Sequence, residues 1–171
     1  VKAGLRVSEG AVIVVCAASG VEVGTEQVWK YANEAALPCL IFINKMDRDN
    51  ADFYRTLDEI QSKLGKKCLP IQLPIGSQKD FVGVTDLVTL KSYGTSSQEI
   101  EIPSTLLEQC KVCRERLVEA VVEVDDELIT KYLDGKEIST EELRRATKQA
   151  VFLRKIVPVL AGSALRNIGI T

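Results

Sequence analysis

The 171 residues contain no histidine, and only one methionine and one tryptophan. Without histidine there can be no Ser-His or Cys-His nucleophile pair and no His-containing zinc site. No apolar run approaches the ~18 residues that a membrane-spanning helix needs, so no membrane partner is expected. The N-terminus lacks the basic-then-apolar order of an export signal. Neither sign of charge dominates, with 22 Lys and Arg against 24 Asp and Glu. That balance argues against a broad basic face, and no direct sequence-specific contact with nucleic acid is expected. The five cysteines are an odd number, which in a chain without an export signal fits a reducing cytoplasm. Cys110 and Cys113 form a Cys-x-x-Cys pair, yet Leu106, Cys110, Cys113, Leu117, Ala120 and Val124 follow helical spacing. The two thiols therefore read as part of a buried helix face, and no metal ligands are assigned.

What the chain has is a stretch that organises the rest: Ile41-Phe42-Ile43-Asn44-Lys45-Met46-Asp47. The apolar residues after Pro38 predict a buried strand that runs straight into Asn-Lys-x-Asp. In an open α/β sheet, the loop at a strand's carboxyl end faces the ligand crevice. The residue types there suit guanine. An ionised Asp47 only accepts and can take two parallel N–H bonds, which guanine offers at N1 and its 2-amino group. Adenine has no hydrogen at N1. The Asn44 amide can donate to purine N7, and the Lys45 stem can lie over the base while its ammonium stays wet.

Around this stretch the chain alternates. Val1 to Val7 reads as the tail of a helix. Ala11 to Cys16 is a continuous apolar run, typical of a strand covered on both faces. A small-residue loop leads to a helix capped at Thr25, with Val28, Tyr31, Ala32 and Ala35 on one face. After Asp47, a helix capped at Asp49 or Asn50 carries Phe53, Leu57, Ile60 and Leu64 and ends at Gly65. Strand–helix–strand–helix with short loops predicts a parallel sheet with right-handed crossovers.

The character changes after Cys68. Cys68 to Ile75 holds two prolines, which suit an edge strand. Phe81 to Leu90 alternates and reads as a strand, or as a hairpin bent at Gly83. Lys91 to Ser97 reads as a loop, and Glu99 to Ile102 as a short strand. Helices are predicted from Ser104 to Val124, from Asp125 to Leu133, and from Ser139 to about Arg154. In the last of these, Ser139 and Glu142 form a capping box. Ile156 to Ala161 is a final apolar strand, ending in Gly162-Ser163-Ala164-Leu165. Small residues here let backbone approach a flat ligand. The Ala164 N–H can donate to guanine O6, where adenine presents a donor instead.

Asn44-Lys45-Met46-Asp47-Arg48, followed by Gly162-Ser163-Ala164-Leu165 and Asn167-x-Gly169, resembles the nucleotide domain of translational GTPases, most of all elongation factor G. The likeness runs along essentially the whole chain. It includes Gly10-Ala11-Val12, Gln27-Val28-Trp29, Pro70-Ile71-Gln72-Leu73 and Gly83-Val84-Thr85-Asp86-Leu87. Ser19 to Glu26 is similar to the elongation-factor-G-like paralogue.

The resemblance implies an α/β fold: an incomplete P-loop-NTPase-like parallel sheet with helices on both faces, plus an inserted α+β subdomain. More than a hundred positions separate Asp47 from Ser163, where a minimal GTPase needs one crossover of about 30 residues. Residues 1–67 and 156–171 are thus expected to form a partial GTPase domain, and 68–155 the insertion. Asn44, Lys45, Asp47, Ser163, Ala164 and Leu165 become the guanine-binding residues for GTP or GDP. The family also implies a ribosomal partner, the stalk protein, met through the insertion, and a cytoplasmic setting.

The phosphate loop, Gly-x4-Gly-Lys-Ser/Thr, does not occur in these residues. Asp80-Phe-Val-Gly83 matches the magnesium-side Asp-x-x-Gly as text only, because it follows the base motif. The chain therefore reads as a piece of a larger GTP hydrolase that uses magnesium. It has no catalytic residue of its own, and weak nucleotide binding and no activity are expected of it alone. A protein-interaction module docking a stalk protein, and a ribosome-protection or release-factor GTPase, are the alternative readings.

Overall fold

The computed structural model describes residues 1–170. After a short helix α1 (Lys2–Leu5), the chain runs β1 (Ala11–Cys16), α2 (Val23–Glu34), β2 (Cys39–Asn44), α3 (Phe53–Lys63) and β3 (Cys68–Pro70). An antiparallel set follows: β4 (Gln72–Ile75), β5 (Gly83–Asp86), β6 (Lys91–Gly94) and β7 (Glu99–Ile100). Then come α4 (Leu107–Val122), α5 (Asp126–Leu133), α6 (Thr140–Phe152) and β8 (Val157–Ala161). The first sheet has the order β1-β2-β8-β3 with every pairing parallel, and the second is the meander β4-β5-β6-β7. This is the mixed α/β architecture expected, a helix-flanked parallel sheet plus a separate antiparallel unit.

Alternation along the parallel strands sets what is covered. Ile13, Val15, Cys39, Ile41, Ile43, Val157, Val159 and Ala161 share one face and are buried. Trp29 and Ala32 of α2 and Phe53 and Ile60 of α3 join them in the core. Each such large side chain contributes about 1.5–3 kcal/mol by leaving water. The opposite face is barer: Val12 and Val14 are 62% and 57% exposed. Val151 and Phe152, at the end of α6, line a groove on that side together with Leu40, Pro158 and Leu160. Pro158 is tolerated in an inner strand because the β2–β8 ladder begins one residue later, at Ile41 opposite Val159.

Several local expectations are corrected. The second unit does not open at residue 68 as expected, because Cys68–Pro70 pair with β8 in the parallel sheet. The joint is Ile71, whose N–H donates to the Val159 carbonyl while its own carbonyl accepts from Leu87. Asp52, not Asp49 or Asn50, caps α3, accepting from the Arg55 N–H at 3.0 Å. Helix α2 starts two residues before Thr25 with no side-chain cap, and α4 starts after Leu106 without help from Ser104. Lys91–Gly94 is a strand paired with β5, so the hairpin turns at 87–90 and not at Gly83. The capping box of Ser139 and Glu142 is present on α6, and Asp125 caps α5. Cys110 is buried and Cys113 half-buried on α4, both as free thiols.

Candidate functional site

Because β2 and β8 are parallel neighbours, their carboxyl ends deliver residues 44–47 and 162–165 to one place. The Gly162 N–H donates to the Ile43 carbonyl at 3.0 Å, and the Met46 N–H to the Gly162 carbonyl at 3.1 Å. Across 120 positions of sequence, the Ala164 N–H donates to Asn44 Oδ1 at 3.0 Å. The Lys45 N–H donates to the same oxygen at 2.7 Å. Two backbone donors on one atom assign it as the amide oxygen. Nδ2 is then a donor with no partner among the described residues, which is what a purine N7 requires.

Lys45 takes a left-handed conformation, φ 64°. The reversal places exposed Lys45 and half-buried Asp47 on either side of a fully buried Met46. The Asp47 carboxylate makes no hydrogen bond or ion pair among the described residues, so both oxygens remain acceptors for two donors. On the second loop, Ser163 is buried, and its hydroxyl accepts from the Arg166 N–H at 3.2 Å. Its N–H and carbonyl pair with Ile168 at 2.9 and 3.1 Å, closing a tight turn. Gly162 has no room for a side chain, since a Cβ would lie 2.5 Å from the Ile168 carbonyl oxygen and 2.8 Å from Phe42. Ala164 is exposed and Leu165 is 93% exposed.

The structure thus gathers Asn44, Lys45 and Ala164 by direct bonds, with Asp47 and Leu165 flanking them. Ser163 serves the turn itself, with its hydroxyl used internally. The Ala164 amide, expected to face a base oxygen, already donates to Asn44.

The loop after β1 reads from sequence only as small. It lies beside this site because Cys16 is opposite Asn44 in the sheet, and the Ala17 N–H donates to the Asn44 carbonyl at 2.9 Å. Arg55 donates to the carbonyls of Ala17 and Ala18 at 3.2 and 2.7 Å. Glu59 accepts from the Val21 N–H at 2.9 Å. Burial pushes the Cys16 thiol up, but the backbone amides of Ser19 and Ala18, the Ser19 hydroxyl and the Lys45 charge outweigh it and leave its pKa lowered.

A cleft of about 590 Å³ lined by Met46, Asp52, Arg55, Gln78 and Gln109, among others, takes in neither Asn44, Asp47, Ser163 nor Ala164. The donors and acceptors suited to a purine edge are on the two loops, which makes them the stronger candidate. Among the described residues, no three Cys, Asp or Glu side chains come together in a way that could hold a metal ion. Among the described residues, no helix is long and apolar enough to cross a membrane.

Comparison with known proteins gives two findings. The family described as the elongation factor Tu GTP binding domain matches residues 1–171. The crystal structure of a protein from Thermus thermophilus is 34% identical and superposes with a TM-score of 0.89, covering 99% of this chain. This chain spans only 26% of the length of that protein.

Proposed function

The chain belongs to the family of the elongation factor Tu GTP-binding domain, and from that premise we propose that it carries the guanine-recognition half of a translational GTPase. Asn44 donates from Nδ2 to N7, Asp47 accepts from N1 and the 2-amino group, and the Lys45 stem covers the base. Ala164 offers its N–H to O6 while it remains in reach of Asn44 Oδ1. Ser163 holds the turn, and Leu165 flanks the ring. The observation that carries this reading is the Ala164–Asn44 bond, which makes the two motifs one surface.

We further propose that the parent protein is of the elongation factor G type, using GTP and GDP with magnesium in the cytoplasm. Residues 68–155, apart from the strand Cys68–Pro70, form its ribosome-facing insertion. No residue set described above fits magnesium, so nothing in this chain is assigned to holding it. A second reading, a module that docks a ribosomal stalk protein, draws support from apolar side chains left exposed on the helices of the insertion: Leu107, Val112, Leu133 and Phe152. The two readings are compatible, and binding of purified stalk protein to the chain tests the second.

The first is tested by Asp47→Asn. The new amide meets the 2-amino group of guanine donor to donor but suits the 2-oxo group of xanthine. In an NMR titration, the variant is expected to lose its preference for guanine over xanthine nucleotides. Unchanged guanine preference would refute the role of Asp47.

A further inference from the structure

Resting on the guanine reading, we propose that the turn Gly76–Phe81 of the insertion is a positioning element that clasps both base-recognition loops from the second sheet. The turn joins β4 to β5. Its Gln78 N–H donates to the Met46 carbonyl at 2.8 Å, gripping the first loop between Lys45 and Asp47. Its Phe81 carbonyl accepts from the Arg166 guanidinium at 3.3 Å, gripping the second loop two residues beyond Ala164. The second loop also comes close to β5 next door: a Cβ added at Gly169 would stand 3.1 Å from the Val84 side chain.

The turn is shaped for this and closed by its own hydrogen bonds. Gly76 and Gln78 are both left-handed, at φ 77° and 55°. A Cβ on Gly76 would lie 2.0 Å from the Asp80 carbonyl oxygen. Internal bonds from Asp80 to Ser77, from Phe81 to Gln78 and from Val82 to Ile75 close the turn on itself. Gln78 and Arg166 need touch no nucleotide. They act by fixing Met46 and the 163–168 turn, and through these the spacing of Asp47 from Ala164. The insertion and the base site are then coupled, and the coupling runs in both directions. A partner that shifts the β4–β5 hairpin loosens guanine, and bound guanine stiffens the hairpin.

The test uses the full 171-residue chain with Arg166→Ala, Arg166→Lys, Gly76→Ala and, as reference, Asp47→Ala. GDP and ADP are titrated by NMR, and amide exchange is followed at Met46 and Ala164. Arg166→Ala is expected to weaken GDP about three- to tenfold, the worth of one hydrogen bond, without changing ADP. It should also speed exchange at Ala164, and Arg166→Lys should recover most of both effects. Gly76→Ala should weaken GDP through the Met46 side.

Unchanged GDP binding and exchange in Arg166→Ala and Gly76→Ala, with guanine preference lost only in Asp47→Ala, would overturn the clasp and leave the guanine reading standing. Equal weakening of GDP and ADP would also overturn it, as a general loss of structure. A wild-type chain that does not distinguish GDP from ADP removes the guanine reading and the clasp with it.

Discussion

Asn44 carries two duties that substitution can separate. Its Oδ1 accepts from Lys45 and Ala164 at 2.7 and 3.0 Å, which ties the loops together, while Nδ2 is the donor left for a ligand. Asn44→Ala removes both duties. Two backbone donors lose their acceptor at a half-buried position, where water recovers part of the loss. At about 0.5–1 kcal/mol net for each bond, the chain should lose about 1–2 kcal/mol. With a urea slope of about 2 kcal/mol/M for a small domain, the midpoint falls by about 0.5–1 M. Asn44→Asp keeps an oxygen for both N–H groups and removes only the N7 donor, so its stability should stay within about 0.5 kcal/mol of the parent. Both variants should bind GDP more weakly, Asn44→Asp by about the worth of one hydrogen bond, because N7 is an acceptor common to every purine. The assay is urea unfolding by circular dichroism paired with NMR titration of GDP. An Asn44→Ala variant that unfolds with the parent, or an Asn44→Asp variant as destabilised as the alanine, would refute the two duties of Asn44.

Gly162→Ala should destabilise the chain by about 2–4 kcal/mol, because the added carbon meets backbone at Ile168 and the Phe42 ring with little room to yield. Thermal unfolding checks it. Glu142 has its carboxyl held down at about 2 by the Lys131 ammonium and by the Ser139 backbone and hydroxyl. A depressed acid contributes stability that is present above its unfolded value near 4.5 and lost as pH falls towards 2. Urea midpoints should therefore drop across that window, and drop less in Lys131→Met. Burial raises the Cys68 thiol to about 12 despite the nearby Lys67 charge, whereas the Cys16 thiol is lowered. Iodoacetamide at about pH 8, read by mass spectrometry, should label Cys16 early and Cys68 only on unfolding.

How much is legible in the sequence follows from how local each signal is. The capping box on α6 is readable because both partners lie within one turn, and the parallel strands because buried apolar runs punctuated by breakers need no knowledge of neighbours. The two base loops can be paired only through their chemistry. The bond that joins them depends on β8 lying beside β2, which no local pattern states. The clasp is out of reach for the same reason: Gln78 and Arg166 are ordinary polar residues until the sheets are placed. Misread caps at 25, 49 and 104 show tertiary packing choosing where a helix starts over a nearby polar side chain. Gly83 shows the sharper case. A glycine in an alternating stretch reads as a bend, yet it lies inside β5, opposite Gly94. A Cβ there would stand 2.2 Å from the Tyr93 carbonyl oxygen. The glycine marks a close approach between strands, and the turn falls at 87–90, where Leu90 takes a left-handed conformation without a glycine to signal it. A missing side chain thus reports either a turn or a near neighbour, and only the position of the neighbouring strand decides which.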